Sequence, residues 1–523
     1  MIKQKLMLVA LLLSSAAAAR TPMQFDSNTS LLEAKQAAGE ITSEQIVRDY
    51  LSKIAAVDDS GPKLNAVIAT FPDAIEQARK LDAERAQGRV RSPLHGIPVL
   101  VKDNIEVAGP VATTAGSLAL KDNITGHDAP IIARLREAGA VILGKTNLSE
   151  WANIRSSDST SGWSAVGGLT RNPHILDRNT CGSSAGSGAA AAADLAPLTI
   201  GTETDGSIVC PSSINGIVGF KPTVGLVSRS RIIPISHSQD TAGPMTKSVR
   251  EAALMLTVMA GSDPADPATA EADKRRTNYS ENLRRETLQG MRLGVMRDRV
   301  GNNAKIKAQF DAALEKMKAA GAEIVEIADT RKGLDGLGEA EFEILMTEFK
   351  AGLNAYLAKA PSSVKTRTLA EVIAFNKAEA GELRWFGQDL FDLAQSKGGL
   401  DDPKYLEAVA KAKRLAGPEG IDRLLRENDV QLLVAPTAGT AWKSDLVNGD
   451  QYAGPSASQL PAVAGYPHLT VPMGAIEGLP VGISFIGTAW DDARVLGAGY
   501  AFEQATYARI DPAFKQSIEM TQP

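Results

Sequence analysis

Short apolar runs rich in β-branched residues recur along this chain and alternate with helical and Gly/Ser-rich stretches. The runs lie at residues 97–101, 141–143, 217–220, 432–435, 469–471 and 481–486. Strands that are separated by helical segments are typical of the α/β class, in which helices pack against a sheet. We therefore predict an α/β fold.

Helical patterns fill much of the remaining chain. Gly39 ends one amphipathic helix, and Thr42 to Gln45 form a capping box that begins a second. The apolar residues of this second helix share one stripe: Ile46, Val47, Tyr50, Leu51 and Ile54. Residues 270–430 are charged, rich in Ala, Leu, Lys and Glu, and mostly helical. We expect strands to return only after them.

Length and composition exclude several classes of protein. At roughly 150 residues per domain, the 523 residues suggest about three domains, yet no linker or repeat separates them. With 44% apolar and 22% charged residues, the composition is that of a soluble globular protein. Lys+Arg 56 against Asp+Glu 61, without a basic stripe, argues against a nucleic-acid partner. Five His and two Cys, none in HxxxH or CxxC spacing, argue against a metal site.

The first 19 residues have the three parts of a secretory signal peptide. Basic residues 1–5 precede the apolar run 6–13, and the alanines 17–19 offer a cleavage site before Arg20. The apolar run is about half of the roughly 20 residues that span a bilayer. We therefore predict cleavage near Ala19 and a periplasmic or secreted protein without stable membrane insertion.

Export also affects the two cysteines, Cys181 and Cys210. Disulfides form and persist in exported proteins, so oxidation of the pair is open. Cysteine is also among the residues most often buried as a small free thiol. Of the two states, we expect free thiols.

Two motif matches are expected to be structural. Gly139 to Thr146 fits the phosphate-loop pattern GxxxxGK[ST], but its Ala-Val-Ile-Leu part predicts a strand whose N–H groups belong to a sheet. Ser362 to Lys365 fits SxxK, but KTG is absent and the match lies in the charged helical stretch. We predict a strand at the first place and a solvated helix at the second.

A third match offers a serine nucleophile. Gly182 to Gly186 fits the GxSxG elbow, with Ser184 as nucleophile and His237 or His468 as base. An elbow follows a buried strand, whereas residues 171–180 are polar and contain a proline. An α/β-hydrolase esterase is therefore the weaker alternative.

Three other places are chemically suited to catalysis. Lys102 follows the apolar run 97–101, so we expect it at the end of a buried strand, where burial lowers its pKa and leaves an amine able to act as a base. The small residues of 180–193 suit tight packing at the start of a helix. Gly206 lets the backbone bend sharply beside Ser207, and the converging N–H groups of such a turn suit a tetrahedral oxyanion.

These places belong to a longer series of segments. The series comprises residues 94–105, 144–147, 181–187, 201–211, 219–223, 239–244, 432–437, 464–474 and 479–482. In composition and order it resembles the amidase signature family, over residues 27 to 505. That family carries Gly-Lys-Thr-Asn at 144–147 without binding nucleotide there, which accounts for the phosphate-loop match.

The resemblance implies one large α/β domain in place of three. A single amidase-signature domain, residues 20–523, would contain a central mixed twisted β-sheet covered by helices on both faces. Its core would comprise about 85–260 and 430–505, with a helical insertion at about 270–430. Because matching segments lie on both sides of the insertion, both flanks should contribute to one sheet.

The resemblance also implies a Ser-Ser-Lys triad. Ser207 would be the nucleophile, Ser183 the bridging serine in the family's cis peptide geometry, and Lys102 the general base. An acyl-enzyme would form on Ser207 and be hydrolysed by water, with no cofactor. The oxyanion would be held by backbone N–H groups of four residues: Thr204, Asp205, Gly206 and Ser207.

Departures from the commonest family pattern bear on the substrate. Glu203, Asp205 and Val209 stand where that pattern has Asp, Gly and Arg. With Cys-Gly-Ser-Ser at 181–184, they resemble the peptide amidase branch, which removes ammonia from C-terminal peptide amides. Small aliphatic or aryl amides are alternative substrates, and an inactive binding protein on the same scaffold is an alternative of another class. Export and charge balance argue against the tRNA-dependent amidotransferase of the family. The sequence does not predict the oligomeric state.

Overall fold

The computed structural model describes residues 28–518, so the predicted signal peptide and its cleavage site lie outside the described residues. The strands within this part of the chain are β1 Val67–Thr70, β2 Pro98–Lys102, β3 Val141–Thr146, β4 Trp163–Ser164, β5 Gly168–Leu169, β6 Leu198–Glu203, β7 Val218–Lys221, β8 Thr241–Thr246, β9 Arg292–Met296, β10 Glu323–Ile327, β11 Leu432–Pro436, β12 His468–Ile476 and β13 Leu479–Ile486.

The α-helices of the same residues are α1 Asn28–Ala37, α2 Ser43–Lys53, α3 Ala74–Ala86, α4 Pro130–Glu137, α5 Ala185–Ala192, α6 Val209–Ile214, α7 Val249–Met259, α8 Ala272–Arg275, α9 Ala304–Ala319, α10 Leu337–Ala358, α11 Leu369–Ala378, α12 Asp389–Ser396, α13 Pro403–Ala416, α14 Asp422–Glu427, α15 Gln459–Ala464 and α16 Asp492–Thr506. Within residues 28–518, no helix has the length and apolar character needed to cross a membrane.

One mixed sheet organises the fold. Its 11 strands lie in the order β1-β3-β2-β6-β8-β7-β12-β13-β11-β9-β10. Strands β3, β2 and β6 are parallel neighbours, as are β11, β9 and β10, whereas the pairs between them are antiparallel. The predicted α/β class and the mixed sheet are therefore confirmed. Strands from both flanks of the helical stretch join this sheet, as expected.

Strand positions agree with the sequence prediction except in one region. The six apolar runs lie in β2, β3, β7, β11, β12 and β13. The expectation that strands return only after residue 430 is wrong, because β9 and β10 lie within 270–430 and complete one edge of the sheet. β10 has the sequence Glu-Ile-Val-Glu-Ile and is only partly buried, so two glutamates interrupt its apolar residues and it lacks a continuous apolar run. Parallel pairing with β9 supplies its ladder partners.

Alternate residues of the central strands face opposite layers of helices. Val99 and Val101 of β2 pack in one cluster with α4, α7, α9 and α16, whereas Leu100 packs against α2, α3 and α5. In β11, Val434 faces the first cluster and Leu433 faces α10, α13 and α15. Helices therefore cover both faces of the sheet.

The predicted capping box is present at the start of α2. Thr42 Oγ1 accepts the Gln45 N–H at 3.1 Å, and Gln45 Oε1 accepts the Thr42 N–H at 2.8 Å. Of the predicted apolar stripe, Leu51 is half-buried and the other residues are buried. The local chemistry of this helix was therefore readable from the sequence.

Candidate active site

Lys102 is the last residue of β2, and its side chain is completely buried. Its Nζ donates to Ser183 Oγ at 2.8 Å, to Thr202 Oγ1 at 2.9 Å and to Thr202 O at 3.2 Å. Asn104 Nδ2 also donates to Thr202 Oγ1, at 2.9 Å. The parallel pairing of β2 with β6 places Lys102 beside Thr202, and from there its Nζ reaches Ser183.

Burial determines the protonation of Lys102. Loss of water disfavours the ammonium form and lowers the pKa of Lys102 to about 7, while the charges of Asp240 and Glu203 oppose this shift. The oxygens bonded to its Nζ are uncharged, so no carboxylate holds the proton in place. A substantial fraction of the lysine is therefore neutral near pH 7, and a neutral amine can accept a proton.

Ser183 lies in a tightly packed segment. The Gly182–Ser183 peptide bond is cis, as the family resemblance implies. A Cβ atom at residue 182 would clash with the Ser149 hydroxyl, so glycine packs here without displacing that side chain. The Ser183 carbonyl accepts the Ser149 N–H at 3.0 Å. Helix α5 follows, and all of its small residues are buried.

Ser207 lies in the turn between β6 and α6. Gly206 has a φ of 78°, in the left-handed region that glycine adopts without steric cost. Four successive N–H groups of this turn have no hydrogen-bond acceptor among residues 28–518: those of Thr204, Asp205, Gly206 and Ser207. The Glu203 carboxylate accepts the next two, from Ile208 at 2.8 Å and Val209 at 3.0 Å. The turn therefore presents free donors beside a serine, which suits a negatively charged oxygen.

A backbone bond joins the two serine segments. The Ser184 N–H donates to the Ser207 carbonyl at 3.2 Å. Ser183 is fully buried, whereas Ser207 is partly exposed. The structure thus brings Lys102, Ser183 and the Ser207 turn together at the carboxyl ends of β2 and β6.

Two residues that precede β8 hold the Ser207 turn from another side. Gln239 Nε2 donates to the Thr204 carbonyl at 3.3 Å, and Thr204 Oγ1 donates to Asp240 Oδ1 at 2.6 Å. Burial raises the pKa of Asp240 to about 6, against the effect of its hydrogen bonds. These contacts fix the start of the turn.

The prediction of free thiols is wrong. Cys181 and Cys210 form a disulfide, with Cα atoms 6.0 Å apart. Cys181 lies just before Ser183, and Cys210 lies in α6 just after Ser207. The sulfur atoms meet because the fold places the two serine segments side by side, which the separation of 29 residues does not reveal.

Two cavities border the Ser207 turn. The first, of about 350 Å³, is bordered by Thr202, Thr204, the segment 232–235 and Tyr356 of α10. A groove of about 680 Å³ shares Tyr356 with this cavity. The second cavity, of about 240 Å³, is bordered by Gly206, the disulfide and several polar and aromatic residues. The first cavity has the size of a small-molecule site.

Neither proposed histidine base lies beside Ser184, the nucleophile of the elbow alternative. Ser184 Oγ donates to the Thr202 carbonyl at 3.0 Å and accepts the Thr202 N–H at 3.2 Å. His468 Nε2 lies 2.6 Å from Ser484 Oγ, and burial lowers its pKa to about 3. His237 lies beside Glu348. Among the described residues, neither imidazole contacts Ser184.

The other two motif matches have structural roles. Val141–Thr146 is the buried strand β3, as predicted, and Lys145 Nζ forms a buried ion pair with Asp103 at 2.9 Å. The prediction of a solvated helix at residues 362–365 is wrong: these residues form a turn between α10 and α11. Pro361 precedes the turn, and a proline lacks the N–H that would continue a helix.

Several residues that build the site were not singled out from the sequence. Thr202, Gln239 and Asp240 lie inside the family segments, so their positions were visible but their contacts were not. Glu341 of α10 reaches the Ser207 turn through Gln239, whose Nε2 donates to both Glu341 Oε1 and the Thr204 carbonyl, and no motif marks it.

Comparison with known proteins identifies the family. The sequence pattern of the Amidase family matches residues 45–496. The X-ray structure of a peptide amidase from Stenotrophomonas maltophilia is 50% identical with a TM-score of 0.89, over 93% of this chain and 98% of that chain. The "Probable amidase" of Arabidopsis thaliana is 39% identical over 91% of this chain and 89% of the relative. A glutamyl-tRNA(Gln) amidotransferase component from Symbiobacterium thermophilum is 34% identical over 90% of this chain and 94% of the relative. The chain therefore belongs to the amidase (amidase signature) family and is a hydrolase that acts on amide C–N bonds.

Proposed function

We propose that this protein is an exported amidase that hydrolyses the C-terminal carboxamide of peptides to a carboxylate and ammonia. Ser207 is the nucleophile, Ser183 the bridging serine and Lys102 the general base. The observation that carries the proposal is the 2.8 Å hydrogen bond from the buried Lys102 to Ser183, next to a turn with four free N–H groups. Because the family acts on amide bonds, we assign amide hydrolysis to this arrangement.

The residues act in sequence on the amide. Neutral Lys102 takes the proton of Ser183, Ser183 takes the proton of Ser207, and Ser207 Oγ attacks the carbonyl carbon. The free N–H groups of residues 204–207 stabilise the oxyanion. As the C–N bond breaks, the proton passes back through Ser183 to the nitrogen, which leaves as ammonia. Water, activated by the same groups, then hydrolyses the acyl-enzyme and restores Ser207.

Two observations favour a peptide amide as the substrate. The chain is similar over nearly its whole length to the peptide amidase from Stenotrophomonas maltophilia. The first cavity is continuous in its lining with the larger groove, since Ser230, Ala265, Ala355 and Tyr356 border both. A peptide longer than the amide group has room along this path, and α10 of the helical insertion forms part of its wall. Small aliphatic or aryl amides are the alternative substrates.

Export is supported by two independent features. Residues 1–19 have the pattern of a secretory signal peptide. The Cys181–Cys210 disulfide is of a kind that oxidising compartments maintain and the cytosol disfavours. We place the mature protein in the periplasm or outside the cell.

Two alternative functions have specific grounds. The amidotransferase component from Symbiobacterium thermophilum is 34% identical to this chain, but the predicted leader and the net charge of −5 oppose a cytosolic role on tRNA. A binding protein without activity is opposed by the contact of Lys102 with Ser183.

Ammonia release from a panel of amides tests the proposal. The panel contains a dipeptide amide, propionamide, free glutamine and acetanilide. Hydrolysis of acetanilide releases aniline, which is measured in place of ammonia. We expect the dipeptide amide to have the highest kcat/KM. Preference for glutamine would favour the amidotransferase function. Preference for propionamide or acetanilide would show that small aliphatic or aryl amides, and not peptide amides, are the substrates. No product from any of the four compounds would refute the proposed amidase activity. Cell fractionation of the producing organism tests export.

A further inference from the structure

An acidic residue of α10, Glu341, lies near Asp205 of the Ser207 turn. Asp205, whose N–H is one of the four free donors, lies with its carboxyl group against that of Glu341 on α10. Ser458, just before α15, borders the same cavity as Asp205. Asp205 stands where the commonest family pattern has glycine, which has no carboxyl group to make such a contact.

Glu341 also reaches the turn by a second route. Its Oε1 accepts a hydrogen bond from Gln239 Nε2 at 3.1 Å, and its Oε2 accepts one from Gln459 Nε2 at 2.9 Å. Gln239 Nε2 uses its other hydrogen on the Thr204 carbonyl at 3.3 Å. Gln239 Nε2 therefore lies between Glu341 Oε1 and the Thr204 carbonyl, and the bond to Glu341 holds the Gln239 side chain beside the turn.

The orientation of the Thr204 carbonyl determines the orientation of the Asp205 N–H. The Thr204 C=O and the Asp205 N–H belong to one planar trans peptide, in which they point in opposite directions. A carbonyl held toward Gln239 therefore directs the Asp205 N–H away from Gln239, and that N–H is one of those without an acceptor. The chain of contacts from α10 thus ends at a group proposed to bind the oxyanion.

We propose that Glu341 is a positioning residue for the oxyanion turn, acting through Gln239. The inference rests on the proposed function of residues 204–207. It assigns residues 270–430 a part in catalysis, because Glu341 of α10 holds Gln239, and Gln239 in turn holds the Thr204 carbonyl of the turn.

Protonation of the carboxyl pair gives this role a measurable signature. Burial and the adjacent Asp205 raise the pKa of Glu341 to about 8, and burial raises that of Asp205. Near neutral pH the pair shares a proton, and above about pH 8 two negative charges repel each other. The charged groups that face the pair from the sheet are Lys221 of β7 and Glu203 of β6. The segment before β8 and the start of α15 present uncharged side chains: Gln239, Ser458 and Gln459.

Steady-state kinetics on a dipeptide amide from pH 6 to 10 test the inference. The wild-type kcat should fall above about pH 8. Glu341→Gln can donate to Asp205 and still accept one bond, so it should keep kcat near pH 7 within about fivefold and lose the alkaline fall. Glu341→Ala should lower kcat about 10- to 100-fold with KM changed less than about threefold, because a misplaced oxyanion donor acts on the transition state. Exposed Glu339, on the same helix, supplies the control Glu339→Gln, which should match the wild type.

The outcomes separate this inference from the proposed function. If the wild type hydrolyses no amide, the proposed function fails first. If the wild type is active but shows no alkaline fall, or if Glu341→Gln retains that fall, the positioning role is overturned; retention would point to Lys221 instead. An unchanged kcat in folded Glu341→Ala also overturns it. Should Glu341→Ala fail to fold, the Glu341→Gln profile decides.

Discussion

The Nζ atom of Lys102 lies 2.8 Å from Ser183 Oγ, at the end of a strand where neither side chain is exposed to water. This contact joins the proposed base to a hydroxyl in a buried environment that disfavours charge. Among residues 28–518 the lysine forms no ion pair, so no carboxylate holds its proton. The first prediction concerns this pair.

Activity should rise with pH through about 7. The pKa of Lys102 is lowered to about 7 by burial, so below that pH the ammonium form predominates and cannot accept the Ser183 proton. We expect kcat/KM to increase about tenfold per pH unit on the acid side and to level off between about pH 7 and 8, before the alkaline fall expected from Glu341. Lys102→Arg stays protonated at every accessible pH and should lose activity by at least about a thousandfold. A flat profile from pH 5 to 8 would contradict Lys102 as the base.

Two neighbouring serines should differ in their effect. Ser207→Ala removes the proposed nucleophile and should reduce ammonia release from a dipeptide amide to background. Ser184→Ala removes bonds to the Thr202 backbone and should lower kcat by only about tenfold, because Thr202 helps to hold Lys102. The reverse order of the two effects would support Ser184 as nucleophile. Circular dichroism of both variants controls for folding.

The disulfide should stabilise the protein and the site. Joining residues separated by 29 positions is worth about 3–4 kcal/mol of unfolding free energy on the loop-closure estimate. The double variant Cys181→Ser with Cys210→Ser should therefore unfold at lower denaturant, and kcat should fall because the Ser183 segment is no longer tied to α6. Intact mass should rise by two hydrogens when the wild type is reduced. Reductant should leave the double variant unaffected; an equal effect on both would show that the disulfide is not the cause.

Filling the path to the surface should discriminate between substrates by size. Ala355 of α10 borders both the first cavity and the groove, so Ala355→Trp should raise KM for a tripeptide amide about tenfold and leave that for propionamide within about twofold. Ala358→Trp, on the same helix and exposed, is the matched control and should resemble the wild type. Equal losses on both substrates after Ala355→Trp would argue that the peptide does not lie along this path.

Much of the framework could be predicted because it depends on neighbours in sequence. The run 97–101 alternates between two apolar faces, which required a strand buried on both sides with Lys102 at its end. The free N–H groups beside Ser207 follow from Gly206, whose left-handed conformation is a local property. In contrast, β10 was missed because two glutamates interrupt the apolar residues of this edge strand, and its pairing with β9 is not visible in the local sequence.

By itself, the sequence determined the α/β class, the positions of the central strands and the residues that could do chemistry, since hydrophobic periodicity and turn chemistry act over a few neighbouring residues. The tertiary structure alone decided which of those residues meet. The path of the chain brings Cys181 to Cys210 and Glu341 to Asp205, and no local pattern records these distances. Burial, which sets the pKa of Lys102, likewise arises only when the helices close over the sheet.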